Sequence, residues 1–217
     1  MNSCVLCQHP QTGPTLSFPD DKRTYIRCSN CNLIRVDESF LLTSDREKER
    51  YLHHLSDAGS AGHKQHLKHA LSPALSFIPP LSRCLDFGCG PKPVLRDLLV
   101  QSGILCDSYD LYFFPTLQPN IRYDHIFCLE TAEHLFDPRR EFTLIHQLLK
   151  PGGHVTFMTE WYHNPEDMKD WYYKRDYTHV IFFHEKTWAY ISQTFRWQTV
   201  YSDQKRVIIF KKVTDTP

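Results

Sequence analysis

Four cysteines near the N-terminus are spaced like the ligands of a structural metal site. They form two Cys-x-x-Cys pairs separated by 20 residues, namely Cys4, Cys7, Cys28 and Cys31. Each pair can turn its backbone so that both thiolates face one centre, and two pairs complete the tetrahedral four-sulfur shell that Zn²⁺ prefers. Because four thiolates leave no position for water, we expect a structural zinc ribbon without catalysis. Redox or iron chemistry is the alternative use of this pattern.

Closely spaced glycines follow a predicted strand in the segment Asp86-Phe87-Gly88-Cys89-Gly90. Backbone without side chains lets a nucleotide-like ligand approach the chain where a Cβ atom would collide with it. The next predicted strand ends at Asp110, which is placed to accept hydrogen bonds from ribose hydroxyls, and Leu111 follows it. The pattern predicts a nucleotide-like cofactor at the carboxyl ends of the strands. A tight turn without a ligand is the alternative.

Two glutamates and two histidines form a third candidate site. Glu130, Glu133 and His134 follow another predicted strand, and His179 lies in a later segment after Asp176. If the first segment begins a helix, Glu130 and Glu133 share one face and His134 lies next to Glu130. Such a set suits a divalent cation (Mg²⁺, Mn²⁺ or Zn²⁺), which could bind a substrate hydroxyl and lower its pKa. The alternatives are a metal-free base at Glu133 or His134 and a structural role.

The elements that must position these side chains alternate between strand and helix patterns after residue 80. This alternation is typical of a parallel sheet with helices on both faces. We predict strands at residues 83–87, 104–109, 124–129 and 154–159, and helices at residues 94–102, 139–149 and 185–194. A turn at residues 151–153 leads into the fourth of these strands. Two further β-rich stretches, 196–201 and 206–212, predict an antiparallel hairpin.

We divide the chain into a zinc ribbon (1–40), a helical connector or substrate cap (41–80) and a main domain (81–217). The connector carries leucines spaced as on amphipathic helices, and a break at residues 57–62 predicts two helices joined by a loop. An aromatic insertion that runs to about Phe183 is a candidate lid over a planar substrate, and simple packing onto the domain is the alternative. We expect the ribbon to dock on the connector or to help select the substrate.

The composition carries no charge bias. Among 217 residues, 41% are hydrophobic, and 25 basic and 25 acidic side chains give a formal net charge of zero, so bulk charge does not favour a nucleic-acid partner. The N-terminus lacks the features of a signal peptide, and no apolar run approaches the ~20 residues that span a bilayer. We therefore expect a cytoplasmic protein without a membrane partner. We expect the other cysteines to be small buried residues, namely Cys84, Cys89, Cys106 and Cys128.

The order of these features resembles that of class I S-adenosylmethionine-dependent methyltransferases across residues 75–213. The resemblance rests on the glycine loop, the acidic strand end at Asp110, the run 124–130, the turn Leu148-Leu149-Lys150-Pro151-Gly152-Gly153 and the terminal hairpin. It implies an α/β, doubly wound, Rossmann-like sheet of seven strands whose last strand is antiparallel, here with the small zinc ribbon added at the N-terminus.

The same resemblance implies S-adenosyl-L-methionine as the cofactor. The cofactor-binding residues that it implies are Asp86, Gly88, Cys89, Gly90, Asp110, Leu111, Leu129 and Glu130. Asp86 and the two glycines would surround the methionine end of the cofactor, and Asp110 would hold its ribose. Leu129 and Glu130 would lie near the cofactor and the substrate.

Two departures from that family pattern stand out. The third glycine of the family falls at Lys92, between two prolines, so the loop is bulkier than usual. Only 12 residues separate Asp110 from Tyr123, which is too few for a crossover helix and a strand. We therefore expect the third strand to be missing or vestigial, and the adenine pocket to be built from Leu111, Tyr112 and Phe113.

The Glu-x-x-Glu-His motif looks like that of the ubiquinone-biosynthesis O-methyltransferases and of the 2′-O-methyltransferases of small-RNA 3′ ends. In those families the two glutamates and a later histidine bind a metal. The resemblance implies a second divalent cation held by Glu130, Glu133, His134 and His179, and the same four residues are our candidates for catalysis.

We expect an enzyme that transfers the methyl group of S-adenosylmethionine to an oxygen or nitrogen of a small molecule. One alternative is an RNA methyltransferase that uses the ribbon for substrate binding. The other is a non-catalytic adaptor with a methyltransferase fold, which Lys92 and the short segment after Asp110 favour and the Glu/His cluster opposes. The sequence predicts no oligomeric state.

Overall fold

The computed structural model describes residues 3–10, 13–53 and 58–214, and its largest element is a six-stranded mixed sheet. The strands of this sheet are β4 (Arg83–Phe87), β5 (Leu105–Tyr109), β6 (Tyr123–Leu129), β7 (Leu149–Met158), β9 (Trp197–Ser202) and β10 (Val207–Lys212). They lie in the order β5-β4-β6-β7-β10-β9. The first four strands are mutually parallel, whereas β10 runs antiparallel to β7 and to β9. The predicted α/β sheet with an antiparallel last strand is confirmed.

The sheet has six strands, one fewer than the family resemblance implies. Among the described residues, no strand or helix lies between Tyr109, where β5 ends, and Tyr123, where β6 begins. The chain crosses from β5 over β4 to β6 with a short irregular segment. The sequence-based expectation of a missing third strand therefore agrees with the structure.

Helices cover both faces of the sheet, and alternating side chains of each strand meet them. In β6, Ile126 and Cys128 belong to one core cluster and Phe127 and Leu129 to the other, because successive residues of a strand face opposite sides. The helices α2 (Ala61–Ala74) and α3 (Val94–Gln101) pack on one face, and α4 (Pro138–Leu148) and α5 (Glu185–Phe195) pack on the other. This is the doubly wound architecture.

Local sequence signals explain where these helices begin and end. Asp137 caps α4 by accepting a hydrogen bond from the backbone N–H of Arg140, and Pro138 occupies its first turn. Gly103 follows α3 with a left-handed φ of 76°, as at many helix C-termini. The predicted helices agree with the observed ones to within one or two residues at each end.

The connector forms two helices, as predicted. α1 spans Ser44–His53 and α2 begins at Ala61 after its cap residue Ser60, while residues 54–57 of the predicted break lie outside the described residues. α2 buries Leu67, Ala70 and Ala74 against the sheet, so it packs as one of the helices of the main fold. The division at residue 80 stays a prediction.

The ribbon forms a small antiparallel sheet with β1 (Thr15–Ser17), β2 (Thr24–Arg27) and β3 (Ile34–Val36). Its fourth strand is β8 (Ile181–Phe182), which belongs to the aromatic insertion and pairs with β3. We expected the ribbon to dock on the connector or to help select the substrate. Its strand pairing is with the insertion, and this contact joins positions about 145 residues apart in the sequence.

Two local predictions are corrected by the structure. Residues 151–153 do not form a separate turn, since β7 already begins at Leu149 and passes through them with a shift in its pairing to β6. Cys89 and Cys106 are half-buried, whereas Cys84 and Cys128 are buried as expected. The condition under which Glu130 and Glu133 would share one helix face is not met, because only a short 3₁₀ turn forms, at Ala132–His134.

Within the described residues, no helix combines the length and the apolar character that a bilayer crossing requires.

Candidate active site and metal clusters

A cavity of about 730 Å³ lies at the carboxyl ends of the parallel strands, where open α/β sheets bind ligands. The loops after β4, β5 and β6 line the cavity on the side of the sheet, and residues of the connector also line it. All eight residues expected to bind the cofactor line it, namely Asp86, Gly88, Cys89, Gly90, Asp110, Leu111, Leu129 and Glu130. The structure thus brings these residues together, and their binding role remains a prediction.

The glycine loop needs both of its glycines. Gly88 has a φ of 80°, and a Cβ atom built on it would lie 2.1 Å from Cγ2 of Thr131, so a side chain there must displace the neighbouring loop. Gly90 has a φ of 66°, and a Cβ atom there would meet no protein atom within 4 Å. The space beside Gly90 is the open cavity, so its bare backbone is available to a ligand.

Lys92 does not fill the cavity. Its ammonium group reaches across to the connector and donates a hydrogen bond of 2.9 Å to the carbonyl oxygen of Ala58. The bulky replacement for the family's third glycine therefore lies at the rim, where it ties the glycine loop to the connector.

The two aspartates expected to bind the cofactor, Asp86 in β4 and Asp110 after β5, differ in environment. Asp86 is buried, and its desolvation raises the pKa of the carboxyl to about 7, against the opposing effect of the backbone N–H of Arg96. Asp110 accepts hydrogen bonds from the backbone N–H groups of Gly90 at 3.0 Å, of Tyr112 at 2.8 Å and of Phe113 at 3.1 Å. These bonds fix the Asp110 carboxylate at the end of β5, beside the cavity.

The expected adenine wall is only partly observed. Leu111 and Tyr112 line the cavity, whereas Phe113 does not and instead faces the ammonium group of Lys48 at 5.9 Å. The sequence reasoning missed two connector residues that complete this wall. Glu47 is buried and accepts hydrogen bonds of 2.6 Å from the hydroxyls of Tyr51 and Tyr112. The four-residue spacing of Glu47 and Tyr51 on a helix was the signal that could have found them.

A second cluster of potential metal ligands lies in the same cavity. One ligand atom from each of Glu133, His134 and His179 can be chosen so that all three lie within 4.8 Å of one another. The 3₁₀ turn after β6 carries the first two residues, and the aromatic insertion carries the third. The structure therefore brings together side chains that are about 45 residues apart, as the sequence predicted.

The two imidazoles of this cluster are oriented by backbone carbonyls. His179 Nδ1 lies 2.7 Å from the carbonyl oxygen of Tyr173, and His134 Nδ1 lies 2.9 Å from that of Thr178. A carbonyl oxygen only accepts, so each Nδ1 carries the proton and each Nε2 keeps its lone pair. This arrangement is typical of histidines that bind a metal through Nε2.

Burial keeps both imidazoles neutral. It lowers the pKa of His134 to about 3, with a further contribution from His179, and it also lowers the pKa of His179. A neutral imidazole can donate its lone pair to a metal, which a protonated one cannot.

Glu133 is fully buried and incompletely bonded. Its Oε1 accepts a hydrogen bond of 2.6 Å from the hydroxyl of Tyr173, whereas its Oε2 has no hydrogen-bond partner among the described residues. Desolvation, and secondarily the neighbouring Glu130, raise the pKa of this carboxyl well above its usual value. The Glu133 carboxylate, whose Oε1 lies 3.9 Å from Nε2 of His134, forms with the two imidazoles a donor set that fits a cation.

Glu130 lies outside this three-residue cluster as far as the described residues show, contrary to the four-residue site that we expected. Its Oε1 lies 3.0 Å from Nε2 of His66 on α2 and 3.9 Å from the guanidinium of Arg206. Burial would raise the pKa of Glu130, but the hydrogen bond from His66 and the charge of Arg206 outweigh it and lower the pKa. Glu130 also has a left-handed φ of 48°, a costly conformation that often marks functional sites.

The four N-terminal cysteines converge as predicted. Their sulfur atoms lie within 4.8 Å of one another, with Cys4 and Cys31 3.7 Å apart and Cys7 and Cys28 3.5 Å apart. A tetrahedral site with Zn–S bonds of about 2.3 Å requires sulfur atoms about 3.8 Å apart, so these distances fit the metal.

The two cysteine pairs have matching backbones. The carbonyl oxygen of Cys4 accepts from the N–H of Gln8, and that of Cys28 accepts from the N–H of Asn32. Gln8 and Asn32 share a left-handed φ of 59°. This repeated turn places both thiols of each pair on the same side.

Comparison with known proteins identifies relatives for most of the chain. A family model described as a methyltransferase domain matches residues 51–201. A ubiquinone biosynthesis O-methyltransferase of Cronobacter sakazakii is 36% identical over 80 residues, which is 35% of this chain and 31% of that protein. The chain thus matches about a third of the length of that relative.

Two solved structures have a similar fold. One is a 1,6-didemethyltoxoflavin-N1-methyltransferase of Burkholderia thailandensis with bound S-adenosylhomocysteine, with a TM-score of 0.55, 16% identity, and coverage of 91% of this chain and 99% of that chain. The other is a chain from the complex between the Haloferax volcanii Trm112 methyltransferase activator and a putative methyltransferase, with a TM-score of 0.56, 12% identity, and coverage of 80% and 100%. At these identities the likeness concerns the fold alone.

Proposed function

Since the chain belongs to the methyltransferase-domain family, we propose that it transfers the methyl group of S-adenosylmethionine to a hydroxyl oxygen of a small molecule. One observation carries this proposal: the glycine loop with Asp110 and the Glu133–His134–His179 cluster line the same cavity. A cofactor bound at the glycine loop and Asp110 would have its methyl group close to an acceptor bound at the cluster.

The glycine loop and Asp110 bind the cofactor in this proposal. The open space beside Gly90 admits the cofactor to the backbone, and the fixed Asp110 carboxylate accepts from the ribose hydroxyls. Tyr112 and Leu111 flank the adenine. S-Adenosylmethionine supplies a methyl group that is already activated on a sulfonium, so the chain mainly has to align the acceptor with it and exclude water.

We assign the second cluster to a divalent cation held by Glu133, His134 and His179. Two imidazoles and one carboxylate favour Zn²⁺ or Mn²⁺ over Mg²⁺, which prefers oxygen ligands. Such an ion would bind the acceptor hydroxyl and lower its pKa. Glu130 does not bind the metal in this assignment. It lies beside the cluster as a carboxylate that His66 and Arg206 keep ionised.

The small-molecule acceptor is supported by the relatives and by the shape of the site. The curated relative acts in ubiquinone biosynthesis as an O-methyltransferase. In this chain Tyr51 of the connector packs on His134 with ring centroids 5.4 Å apart, so α1 covers one side of the cluster. A partly covered site and a net charge of zero suit a compact acceptor better than an RNA strand.

A transfer assay tests this function. The zinc-loaded protein is incubated with S-adenosylmethionine that carries a deuterated methyl group and with a panel of catechols, phenols, amines and short RNAs, and products are identified by mass spectrometry. We expect the label on a phenolic oxygen, and less labelled product with the Asp110→Asn variant when the cofactor is below saturation. Label on RNA alone would overturn the small-molecule acceptor, and cofactor binding without any labelled product would favour the adaptor alternative.

A separate measurement tests the metal. Mn²⁺ is titrated into protein whose ribbon already holds zinc, and free Mn²⁺ is followed by electron paramagnetic resonance. We expect about one Mn²⁺ per chain, lost in His179→Ala and kept in His69→Ala, whose imidazole is exposed on α2. Equal binding by these two variants would contradict the metal assignment and leave Glu133 or His134 as a metal-free base.

A further inference from the structure

The ribbon contributes one buried arginine to the segment that carries His179. Arg23 lies just before β2 and is only 2% exposed. Its guanidinium donates hydrogen bonds to the carbonyl oxygens of Lys174, Asp176 and His179, the last two at 3.4 Å. A single side chain of the ribbon therefore donates hydrogen bonds to three backbone carbonyls of one short loop in the insertion.

The other carbonyls of that loop orient the two imidazoles. Tyr173 and Thr178 accept the Nδ1 protons of His179 and His134, while the carbonyls of Lys174, Asp176 and His179 accept from Arg23. The path of the loop thus sets the orientation of both histidines, and Arg23 bonds to three carbonyls along this path.

A backbone bridge adds a second connection between the ribbon and the cluster. The carbonyl oxygen of Val180 accepts a hydrogen bond of 2.8 Å from the N–H of Val36 in β3, and the N–H of Val180 donates one of 2.8 Å to the carbonyl of Glu133. The turn that carries Glu133 and His134 is therefore linked to the ribbon sheet through one residue of the insertion.

The charge of Arg23 has a partner within the ribbon, since its Nε lies 3.4 Å from Oδ1 of Asp21. The Asp21 carboxylate also contacts the ammonium group of Lys174 at 3.4 Å, and the Arg23 guanidinium faces the ring of Tyr177 at 4.7 Å. Both of these further contacts reach the loop that carries His179. Five N–H donors in a rigid fork let one arginine hold several carbonyls at once, which a lysine cannot reproduce.

We propose that Arg23 is a positioning residue, through which the zinc ribbon sets the geometry of the Glu133–His134–His179 cluster. This inference rests on the proposed function of that cluster. It makes the ribbon a support of the acceptor site, since the ribbon contacts the loop that orients both histidines.

Hydrogen exchange combined with metal and cofactor titration tests the proposal on the full chain. Arg23→Met should keep one zinc per chain and bind S-adenosylmethionine within twofold of the wild type. Its amides at residues 174–180 should exchange roughly tenfold faster than those of the wild type. Its affinity for Mn²⁺ should fall roughly tenfold, because loss of a group that orients a metal ligand typically lowers metal affinity by about 10- to 100-fold. Arg23→Lys, which keeps the charge, should show a smaller rise in exchange.

Arg35→Met is the matched control. Arg35 is a buried ribbon arginine that pairs with Glu38 at 3.5 Å, so its loss perturbs the ribbon without removing a bond to residues 174–179. We expect wild-type exchange at 174–180 in this variant.

Two results would overturn the positioning role of Arg23. One is unchanged exchange at 174–180 in Arg23→Met, and the other is an equal rise in β4, which would show a general loss of stability. If the wild type itself binds no Mn²⁺, the metal assignment fails, and the exchange data still decide whether Arg23 holds the loop.

Discussion

Glu130 and Glu133 are three residues apart in the sequence and both contact the hydroxyl of Tyr173, at 3.2 and 2.6 Å, but their other partners differ. We placed both in one site because a helix would put them on one face. The left-handed φ of Glu130 prevents that helix, and His66 and Arg206 bind its carboxylate from 64 and 76 residues away. Residue type and spacing predicted the Glu133, His134 and His179 cluster, whereas partners from α2 and the terminal hairpin depend on the tertiary fold.

The two glycines of the loop should respond differently to an added methyl group. Both have left-handed φ values, so alanine costs each about 1–2 kcal/mol of conformational energy. Gly88→Ala also drives a Cβ into Thr131, so we expect it to lower the free energy of unfolding further than Gly90→Ala does, as measured by urea denaturation. Gly90→Ala should instead weaken cofactor binding, since its Cβ enters the cavity. Equal unfolding free energies would contradict the contact with Thr131.

Glu133 provides a second test at this scale. Glu133→Gln keeps the size and the contact with Tyr173 but removes the charge that would bind a cation or accept a proton. Once an acceptor is identified, we expect methyl transfer to fall roughly 100-fold or more, with cofactor affinity within twofold. Glu166→Gln, an exposed residue of the insertion, is the control and should keep full activity. Full activity in Glu133→Gln would remove this residue from the mechanism.

His125 predicts a pH dependence of stability that is independent of the metal sites. It is fully buried in β6, and this burial lowers its pKa from 6.5 to about 3. Below pH 6.5 the unfolded chain takes up a proton that the folded chain excludes, so stability is full above pH 6.5 and is lost progressively down to about pH 3.

The expected loss from His125 between pH 7 and pH 5 is about 2 kcal/mol. His125→Phe removes this titration, so its unfolding free energy should fall about 2 kcal/mol less than that of the wild type over this interval. Urea denaturation at both pH values measures the difference, and His69→Phe is the exposed control. Parallel pH profiles of His125→Phe and the wild type would contradict this effect.

At the scale of elements, local patterns predicted the strands and helices of the main sheet closely. The run 83–87 coincides with β4, and the short segment after Asp110 correctly predicted the missing third strand. β8 could not be predicted in this way, because two residues carry no periodicity and their pairing partner, β3, lies in the ribbon. The same non-local pairing explains why the ribbon contacts the insertion.

The folding of the zinc ribbon should depend on its metal. We propose that the four thiolates bind one structural Zn²⁺, and we expect about one zinc per chain by elemental analysis. Replacing Cys4 and Cys28 together by serine should abolish zinc binding and raise hydrogen exchange in β1–β3 and β8, because a module of this size has little core of its own. The wild-type protein is the reference. A folded, zinc-free wild type would contradict the proposed ribbon metal.

At the scale of the whole molecule, three parts of the chain enclose one cavity. The sheet supplies the glycine loop and Asp110, the connector supplies Glu47 and Tyr51, and the insertion supplies His179. The sequence predicted the sheet and the convergence of the candidate residues on one cavity, since motif order and strand ends determine both. It did not predict that α2 packs on the sheet or that the ribbon pairs with the insertion, because these contacts depend on packing between distant segments.

The most direct test of the central claim is a calorimetric titration of S-adenosylmethionine into the zinc-loaded protein. We predict one site per chain, with affinity reduced roughly tenfold or more in Asp110→Asn, which removes a charged hydrogen-bond acceptor from the ribose. Asp107→Asn is the matched control, because Asp107 lies on the same strand but pairs with Arg83 outside the cavity, and its affinity should stay within twofold of the wild type. No binding at millimolar cofactor, or equal losses in the two variants, would contradict the cofactor site.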